Sequence, residues 1–587
     1  MTTRDDAGSG HVIVCGVGGI STRIVEQLVG AGERVTVIDD SGRGGIAGPM
    51  RAEVEWIELL PDLPRTLDVA GIGRAQAIVC VMADDLLNLE IALLARDRNA
   101  VVRVVASLDN TAVARAVAVG NGPGAVLNIA SLASPALAEA ALGRHATDLE
   151  IDGIRFVAAT LDIDADSTLR ELFGDLTPVA VVRGRESVEV VACPGRDLAV
   201  HTGDRAIILG PEQRVRLLER PSAPRGSGHR LGPLMRARAT VAGVLGEFEP
   251  GLFRALVFMF VLVAGSSVLL WQNYRKPGMS LLDGVYFSVE TIATVGYGDF
   301  SFSDQPAWLR MWAIALMIGG ITTVAVLMAF ITDMLISRRL GNTSGKRRVR
   351  TMAGHYLVIG LGTFGLGVVR ELIARGKQVV VLERDERNRH LTELAVLGVP
   401  AIFGDATLAV TLDVARATHA AGIAVVTSDD MVNIETGIAL RDMFGDSWTA
   451  GPDVPVVMRV FDRSLRRTVA DRFAFTNAQS TEELASPWFV GAALGLEVTA
   501  TFVIAEQTFI VGTLDIDPGS ALVGTAMADL VGAARVVALH RKRSGRHELP
   551  RRDARFEPDD RAYVVGTAGA VIALQQSSRA SSGRTVT

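Results

Sequence analysis

The sequence Thr294-Val295-Gly296-Tyr297-Gly298-Asp299 decides the fold of its region because an apolar run lies on each side of it. Residues 255–274 and residues 311–332 contain no charged side chain. Each run has the length of about 20 residues with which a helix crosses a hydrocarbon core of about 30 Å. We therefore predict two membrane spans, at 255–274 and 311–335, rather than two buried helices of a soluble core.

The segment between the spans is too short to cross the membrane, although residues 281–293 are largely apolar. We predict a re-entrant helix at 281–293, followed by irregular backbone at 294–299. Irregular backbone at membrane depth must line a watery pore or be buried in protein. Glycines allow the backbone to aim successive carbonyl oxygens inward, and rings of four carbonyls can replace the hydration shell of K⁺. One chain has one such segment, so a closed ring requires four chains.

Basic residues flank both spans on their outer sides. They are Arg230, Arg236, Arg238 and Arg254 before the first span, and Arg338, Arg339, Lys346, Arg347, Arg348 and Arg350 after the second. Because cytoplasmic flanks carry the excess of arginine and lysine, we expect both termini in the cytoplasm. The chain is then a two-span protein of the cell's inner (plasma) membrane, in contact with lipid.

An internal repeat lies outside the spans. His11-Val12-Ile13-Val14-Cys15-Gly16-Val17-Gly18 corresponds to His355-Tyr356-Leu357-Val358-Ile359-Gly360-Leu361-Gly362, and Asp84-Asp85-Leu86-Leu87-Asn88-Leu89-Glu90 to Asp429-Asp430-Met431-Val432-Asn433-Ile434-Glu435. Each copy continues with an amphipathic helix and further apolar strands, the alternation of a parallel α/β sheet. Each copy ends in short strands and turns, which predicts a small α+β subdomain.

The second copy carries the sharper ligand motif, Gly360-Leu361-Gly362-Thr363-Phe364-Gly365, between a strand and a helix. Such glycines let a pyrophosphate approach the helix N-terminus, and an acid about twenty residues later can bind ribose hydroxyls. Glu383 has this position. The predicted nucleotide-binding residues are Gly360, Gly362, Thr363, Phe364, Gly365, Glu383, Asp405 and Ala406. The alternative is a nucleotide fold kept for assembly alone.

The first copy departs from this motif because Ser21 replaces the third glycine and no counterpart of Gly404-Asp405 is found. Its candidate nucleotide-binding residues are Gly16, Gly18, Gly19 and Asp39. A fold retained for assembly without a ligand is equally compatible with this sequence.

The segment Ser288-Val289-Glu290-Thr291-Ile292-Ala293, together with the hexapeptide, resembles the pore of bacterial two-transmembrane potassium channels. The resemblance implies K⁺ sites at Thr294, Val295, Gly296 and Tyr297, within an ion-selectivity segment that also includes Gly298 and Asp299. It also implies that Glu290 lies behind this filter near Asp299, where the two carboxyl groups could share a proton; a solvated Glu290 is the alternative. For Gly319 and Gly320 we expect either a gating hinge or close helix packing.

The soluble copies resemble RCK domains (TrkA-N/TrkA-C-like), which regulate potassium conductance in ligand-gated channels and in Trk and Ktr transporters. In that family the cleft binds adenine nucleotides or dinucleotides, so NAD(H) or ATP/ADP is the expected regulatory ligand. The resemblance implies a homotetramer with eight RCK units in a ring. We expect ligand binding to change this ring and pull on the second span, which opens or closes a potassium-selective pore.

The fold class is therefore a multidomain protein: an all-α pore with two transmembrane helices and a re-entrant pore helix, plus two Rossmann-like α/β RCK units, each with a small α+β C-terminal subdomain. The predicted domains are 1–140 (first RCK N-type), 141–218 (first C-type), 219–250 (linker), 251–340 (pore), 341–354 (linker), 355–484 (second N-type), 485–575 (second C-type) and 576–587 (disordered tail).

Composition excludes other classes. With 59 basic and 65 acidic residues, the net charge of -6 argues against a nucleic-acid partner. A dehydrogenase carries similar glycine turns but needs a catalytic domain, so we expect no enzymatic activity. A nonselective cation channel and a potassium transport regulator with nucleotide-binding domains remain the alternatives.

Overall fold

The fold is described from a computed structural model of the chain. The described residues are 10–39, 53–110, 113–114, 116, 124–143, 146–151, 153–184, 189–215, 217–218, 250–275, 278–339, 349–350, 352–448, 454–461, 472–473, 475, 477–504, 507–530, 532 and 534–579. The predicted linker 219–250, apart from its last residue, and most of the linker 341–354 lie outside them. The chain divides into a soluble unit (1–225 and 349–587) and a second unit (226–348).

The first copy begins with a six-stranded parallel sheet of order β3-β2-β1-β4-β5-β6. Its elements are β1 (Val12–Cys15), α1 (Gly19–Gly30), β2 (Val35–Asp39), β3 (Glu55–Glu58), α2 (Leu63–Val69), β4 (Ala77–Cys80), α3 (Asp85–Arg98), β5 (Arg103–Ser107), β6 (Gly124–Leu127) and α4 (Ile129–Ala141). The central strands are apolar throughout because helices cover both faces of a parallel sheet.

A five-stranded antiparallel sheet of order β7-β8-β13-β10-β11 completes the first copy. Its region contains β7 (Ala146–Ile151), β8 (Ile154–Asp162), β9 (Ser167–Thr168), α5 (Leu169–Phe173), β10 (Thr177–Val182), β11 (Val190–Ala192), β12 (Ala199–Val200), β13 (Arg205–Pro211) and α6 (Glu212–Val215).

The described residues of the second unit form three helices: α7 (Pro250–Asn273), α8 (Leu281–Ile292) and α9 (Ala307–Arg339). Within α7 and α9, residues 254–273 and 307–329 are long and apolar enough to span a membrane, with mean hydropathies of 2.0 and 2.1. Only 17% and 22% of these windows are buried, so the helices do not have the surroundings of core helices in a soluble protein. A short helix, α8, lies between them, in agreement with the predicted re-entrant helix.

The second copy repeats the fold of the first. Its elements are β14 (Tyr356–Ile359), α10 (Thr363–Ala374), β15 (Val379–Glu383), α11 (Leu391–Val396), β16 (Ala401–Phe403), α12 (Ala409–Val414), β17 (Gly422–Val425), α13 (Asp430–Phe444), β18 (Val456–Arg459), β19 (Ala478–Gln479), α14 (Thr481–Leu494), β20 (Glu497–Ile504), β21 (Gln507–Asp515), β22 (Ala534–Arg541), β23 (Arg546–Glu548), β24 (Arg561–Thr567) and α15 (Ala568–Ser578). Both sheets reproduce the earlier strand orders, β16-β15-β14-β17-β18-β19 and β20-β21-β24-β22-β23.

The two copies exchange the helices that follow their parallel sheets. Phe489 on α14 is fully buried in the core formed by β1, β2 and α1 of the first copy. Leu137 on α4 is fully buried in the core of the second copy, beside Leu366 and Val369. The antiparallel sheets also share a core, which contains Phe156 and Phe509. Each copy therefore completes its core with residues from the other.

Two predicted boundaries differ from the structure because of this exchange. The boundaries after residues 140 and 484 fall inside α4 and α14, which are continuous helices. The predicted disordered tail begins too early, since α15 continues to Ser578. Gln576 stabilises this last turn by donating hydrogen bonds to the carbonyl of Ala31 and to Glu33. Residues 580–587 lie outside the described part.

Candidate functional site: a filter segment and two glycine turns

Irregular backbone follows α8 at 294–299, with left-handed residues at every second position. The φ angle is +57° at Thr294, +60° at Gly296 and +84° at Gly298. Val295 and Tyr297, between them, are not in the left-handed region. Glycine adopts such angles without strain, whereas Thr294 does so at a cost of about 1–2 kcal/mol. This alternation turns successive carbonyl groups to the same side of the chain.

Glu290, on the last turn of α8, contacts this segment from behind. Its side chain is buried, and its Oε1 accepts a hydrogen bond from the backbone N–H of Tyr297. Its Oε2 is buried without a hydrogen-bond partner. Asp299 instead accepts a hydrogen bond from the hydroxyl of Tyr286 at 3.3 Å. Among the described residues, Glu290 and Asp299 thus have separate hydrogen-bond partners, and support of a filter by Glu290 stays a prediction.

The filter side chains are open in the single chain. Val295 and Tyr297 are 50% and 70% exposed. Isolated apolar side chains on a surface are ordinary, but these belong to a segment whose neighbours in sequence are apolar helices. One side of the segment 294–299 is thus exposed in the single chain and accessible to water, ions or further chains.

The glycine pair in α9 lies in a continuous helix. A Cβ at Gly320 would lie 2.9 Å from Cγ1 and 3.2 Å from Cα of Ile292, at the end of α8. A Cβ at Gly319 would lie 3.5 Å from a methyl group of Leu262, on α7. Gly320 therefore allows α9 to pack closely on α8, and the predicted gating hinge remains a prediction.

In the second copy the glycines of the turn have three different roles. Gly360 has a φ of +96°, and a Cβ there would come within 3.0 Å of Thr427. Gly362 is the N-cap of α10, with open space in front of it. A Cβ at Gly365 would overlap the carbonyl oxygen of Gly360. A tight turn, an open approach and close packing are what a pyrophosphate site at a helix N-terminus requires.

The predicted acids of the second copy lie at the same edge of the sheet. Glu383 accepts hydrogen bonds from the backbone N–H of Leu361 at 2.6 Å and from those of Arg384 and Asp385 at 2.9 Å. Its carboxylate therefore holds the glycine turn through the hydrogen bond from Leu361. Asp405 accepts hydrogen bonds from the N–H and hydroxyl groups of Thr407, which lower its pKa. Ala406, beside it, is buried.

Arg459, which the sequence analysis missed, lies beside the glycine turn. Its guanidinium carbon is 3.8 Å from the ring centroids of both Phe364 and Phe461. The side chain is 5% exposed, and burial lowers its pKa to about 10. Stacking between two aromatic rings stabilises this buried cation. An arginine at the end of an apolar strand belongs to no motif, so only the fold reveals its place.

The first copy reproduces the turn without its third glycine. Gly16 has a φ of +109°, and Gly18 is the N-cap of α1 with open space in front of it. Ser21 is fully buried, and its hydroxyl has no hydrogen-bond partner. Asp39, at the end of β2, is 7% exposed. Gly19, in contrast, is in contact with a carboxylate from the second copy.

In each copy, the repeated Asp-Asp-x-x-Asn sequence forms hydrogen bonds that join neighbouring strands at the carboxyl edge of the parallel sheet. Asn88 accepts from the N–H of Met82 and donates to carbonyl oxygens at the ends of β4 and β5. Asn433 does the same between β17 and β18. Asp85 accepts from the N–H of Asp109, and Asp430 from that of Phe461. The repeat in sequence is therefore a repeat of the same structural bonds.

A cavity of about 590 Å³ opens between the two copies at the N-terminal end of α10. Its lining is Asp85, Leu86, Leu89, Leu108, Asp109, Asn110, Val113, Asn128, Ala130, Ser131, Thr363, Leu366, Gly367, Arg370, Arg389, His390 and Glu393. Burial and then Asp85 raise the pKa of Asp109. Burial and then Arg389 lower the pKa of His390. The cavity thus contains groups of both signs next to the predicted residue Thr363.

Comparison with known families divides the chain in the same way. The TrkA-N domain matches residues 12–119 and 356–472, the ion channel domain matches residues 256–337, and the TrkA-C domain matches residues 512–577. The antiparallel sheet of the first copy has the strand order of the sheet in the TrkA-C match, which extends the repeat to the subdomains.

Curated relatives match over about a third of the chain. The voltage-gated potassium channel Kch of Escherichia coli (strain K12) is 27% identical over 183 residues, 31% of this chain and 43% of that protein. Potassium channel protein 1 of Methanocaldococcus jannaschii is 27% identical over 186 residues, 30% of this chain and 54% of that protein. The chain spans about half or less of the length of these two relatives.

Among solved structures, the GsuK channel is 12% identical, covering 97% of this chain and 79% of that one with a TM-score of 0.49.

The matched families together with the repeated fold identify the parts of the molecule. The chain contains an ion channel domain, one TrkA-N domain before it, and a second TrkA-N domain followed by a TrkA-C domain after it.

Proposed function

We propose that four copies of the chain form a potassium-selective channel, gated by an adenine nucleotide or dinucleotide that binds to the soluble unit. The observation that carries the proposal is the segment 294–299, whose left-handed residues alternate between two apolar helices. A backbone that presents carbonyl oxygens in rings can replace the hydration shell of K⁺. The naming of two relatives as potassium channels supports the same choice of ion.

Fourfold assembly follows from the filter. Each chain supplies one segment, and a ring of four carbonyl oxygens needs four segments around an axis. The exposure of Val295 and Tyr297 in the single chain fits a segment that faces a shared axis. With two RCK units in each chain, four chains would bring eight units into one ring. Both termini would lie in the cytoplasm, because the basic flanks of the spans favour that side.

The second copy is the proposed nucleotide site. Its glycine turn leaves the N-terminus of α10 open at Gly362, and Glu383 lies at the same edge for ribose hydroxyls. A ligand shifts gating only by its difference in affinity for the open and closed states. Four coupled sites, each with a tenfold preference, would supply about 5.5 kcal/mol, which is enough to turn a 1:99 equilibrium into 99:1.

Flux through purified protein in liposomes tests the proposal. We expect K⁺ flux that exceeds Na⁺ flux and changes on addition of NAD⁺, NADH, ATP or ADP. Equal K⁺ and Na⁺ fluxes would replace it with a nonselective cation channel. Selective flux that ignores all four compounds would remove nucleotide gating and keep the channel. No flux from intact tetramers would favour a potassium transport regulator.

A further inference from the structure

The N-terminal end of α1, in the first copy, is in contact with Glu482 of the second copy. A Cβ at Gly19 would overlap both carboxylate oxygens of Glu482, so the carboxyl group packs directly against this glycine. Glu482 belongs to the first turn of α14, the exchanged helix that packs on α1. The next residue, Glu483, lies 3.7 Å from Arg23 on α1. The exchange of helices therefore brings a carboxylate to the first copy's glycine turn.

The equivalent place in the second copy has no acidic residue at the position that corresponds to Glu482. Ser134-Pro135 in α4 and Ser486-Pro487 in α14 define corresponding positions, and by this register Ala130 is the counterpart of Glu482. In the glycine turns, Thr363 is the counterpart of Gly19. Ala130 and Thr363 both line the cavity of about 590 Å³. One copy thus has a cavity at the point where the other has a carboxylate.

The carboxylate lies where a phosphate would bind. The first turn of α1 contains no acidic residue and its N-cap, Gly18, has no capping side chain, so the positive end of the helix is not compensated from within. A phosphate that approached the N–H groups and the positive dipole at this helix end would meet the carboxyl group of Glu482. Burial raises the pKa of Glu482 to about 7, against the opposing effects of Arg23 and Arg459. Glu482 is half-buried and lies near Arg23 and Arg459.

We infer that Glu482 occupies the phosphate position of the first copy and excludes a nucleotide from it, so that each chain binds one nucleotide, at the second copy. The inference rests on the nucleotide binding proposed above. The two copies then have different roles. The second copy binds the nucleotide, whereas the nucleotide position of the first copy is blocked by Glu482, which belongs to the second copy. The buried hydroxyl of Ser21, at the position of the third glycine, agrees with a turn that no longer receives pyrophosphate.

Counting bound nucleotides tests this inference on the full-length protein. Equilibrium dialysis against labelled ADP and labelled NAD⁺ should give one molecule per chain for the natural protein and two for Glu482→Ala. Glu483→Ala removes the neighbouring carboxylate, which does not contact Gly19, and should leave one molecule per chain. Glu482→Gln keeps the volume at Gly19 and should also leave one. Cooperative melting and the oligomeric state of the natural protein would show that the variants are folded.

Two nucleotides per chain in the natural protein, or one in a folded Glu482→Ala variant, would overturn the inference. If neither the natural protein nor Glu482→Ala binds ADP or NAD⁺, the proposed nucleotide gating fails. Binding of inorganic pyrophosphate then tests the blocked phosphate position separately. A rise in melting temperature with pyrophosphate in Glu482→Ala, absent from the natural protein and from Glu483→Ala, would support the blocked phosphate position. The same response in all three proteins would overturn it.

Discussion

The backbone N–H of Tyr297 donates a hydrogen bond to the buried carboxylate of Glu290, seven residues earlier. A hydrogen bond to a charged acceptor contributes about 1.5–3 kcal/mol. The pore helix α8 thus holds the backbone of the filter at the residue that follows Gly296. This relationship makes the shape of the filter depend on one side chain outside it.

Replacement of Glu290 by alanine should therefore destabilise the filter. We expect the variant Glu290→Ala to lose sustained K⁺ flux and K⁺-dependent thermal protection of the proposed tetramer, by an amount equivalent to about 1.5–3 kcal/mol. Glu290→Gln retains an acceptor oxygen and should keep most of the flux. Flux assays and melting curves in K⁺ and Na⁺ would measure both effects. Equal behaviour of the two variants would contradict a role for this hydrogen bond.

The left-handed glycines of the filter should not accept side chains. Gly298→Ala places a Cβ at a φ of +84°, at a cost of about 1–2 kcal/mol, and should abolish selective K⁺ flux. Gly278→Ala is the matched control, because Gly278 has a φ of +80° and open space around it, in the loop before α8. We expect this control to conduct like the natural protein. If both variants lost flux to the same degree, general strain would explain the result.

The third glycine of the second copy should be required for nucleotide binding. A Cβ in Gly365→Ala would overlap the carbonyl oxygen of Gly360 and displace the turn. We expect at least a tenfold loss of nucleotide affinity, or about 1.4 kcal/mol, with K⁺ flux in the absence of nucleotide unchanged. Gly376→Ala, after the other end of α10, has no neighbour within 4 Å of its Cβ and should retain binding. Equilibrium dialysis measures the affinities, and undiminished binding by Gly365→Ala would place the ligand elsewhere.

The buried Glu482 should make stability depend on pH. Because its pKa is raised to about 7, the folded state holds a proton that the unfolded state releases at lower pH. Stability contributed by the protonated form is therefore lost as the pH rises towards about 7. Glu482→Gln should be more stable than the natural protein at pH 8, and this advantage should disappear near pH 4.5. Each pKa unit corresponds to about 1.4 kcal/mol, so a few kcal/mol is the upper bound.

Urea unfolding at several pH values would measure this difference. The groups that face Glu482 are Arg23 on α1, Arg459 at the end of β18, Asp430 on α13 and Glu483 on α14. Glu483→Gln serves as the comparison on the same turn. A pH-independent difference between Glu482→Gln and the natural protein would mean that Glu482 does not titrate in this range.

Local patterns were sufficient to predict the repeat and both apolar helices. Residues 255–274 lack charge, and α7 contains all of this predicted span except its last residue. The helix α9 contains the second predicted span, and α8 differs from the predicted helix by one residue. The glycine turn of the second copy also has the predicted geometry, because the local backbone leaves no room for a side chain at two of its three glycines. These features depend on residues close together in sequence.

Contacts between the copies could not be predicted in this way. Glu482 belongs to no motif, and it contacts Gly19 because α14 crosses to the first copy. Arg459 belongs to no motif either, and its contact with Phe364 arises from the fold of the second copy. Hydrophobic periodicity shows that a helix has an apolar face, but it does not identify the core that receives that face. The boundaries placed inside α4 and α14 were wrong for the same reason.

The exchange of α4 and α14 also has a consequence for synthesis. The core of the first copy includes Phe489 and Val490, which the ribosome adds about 350 residues after α4. At about 5–20 residues per second, the nascent first copy waits roughly 20–70 s for these side chains. During that time both apolar helices of the channel domain emerge. The earliest domain of this chain is thus among the last to complete its core, and until then it presents an apolar surface of the kind that chaperones bind.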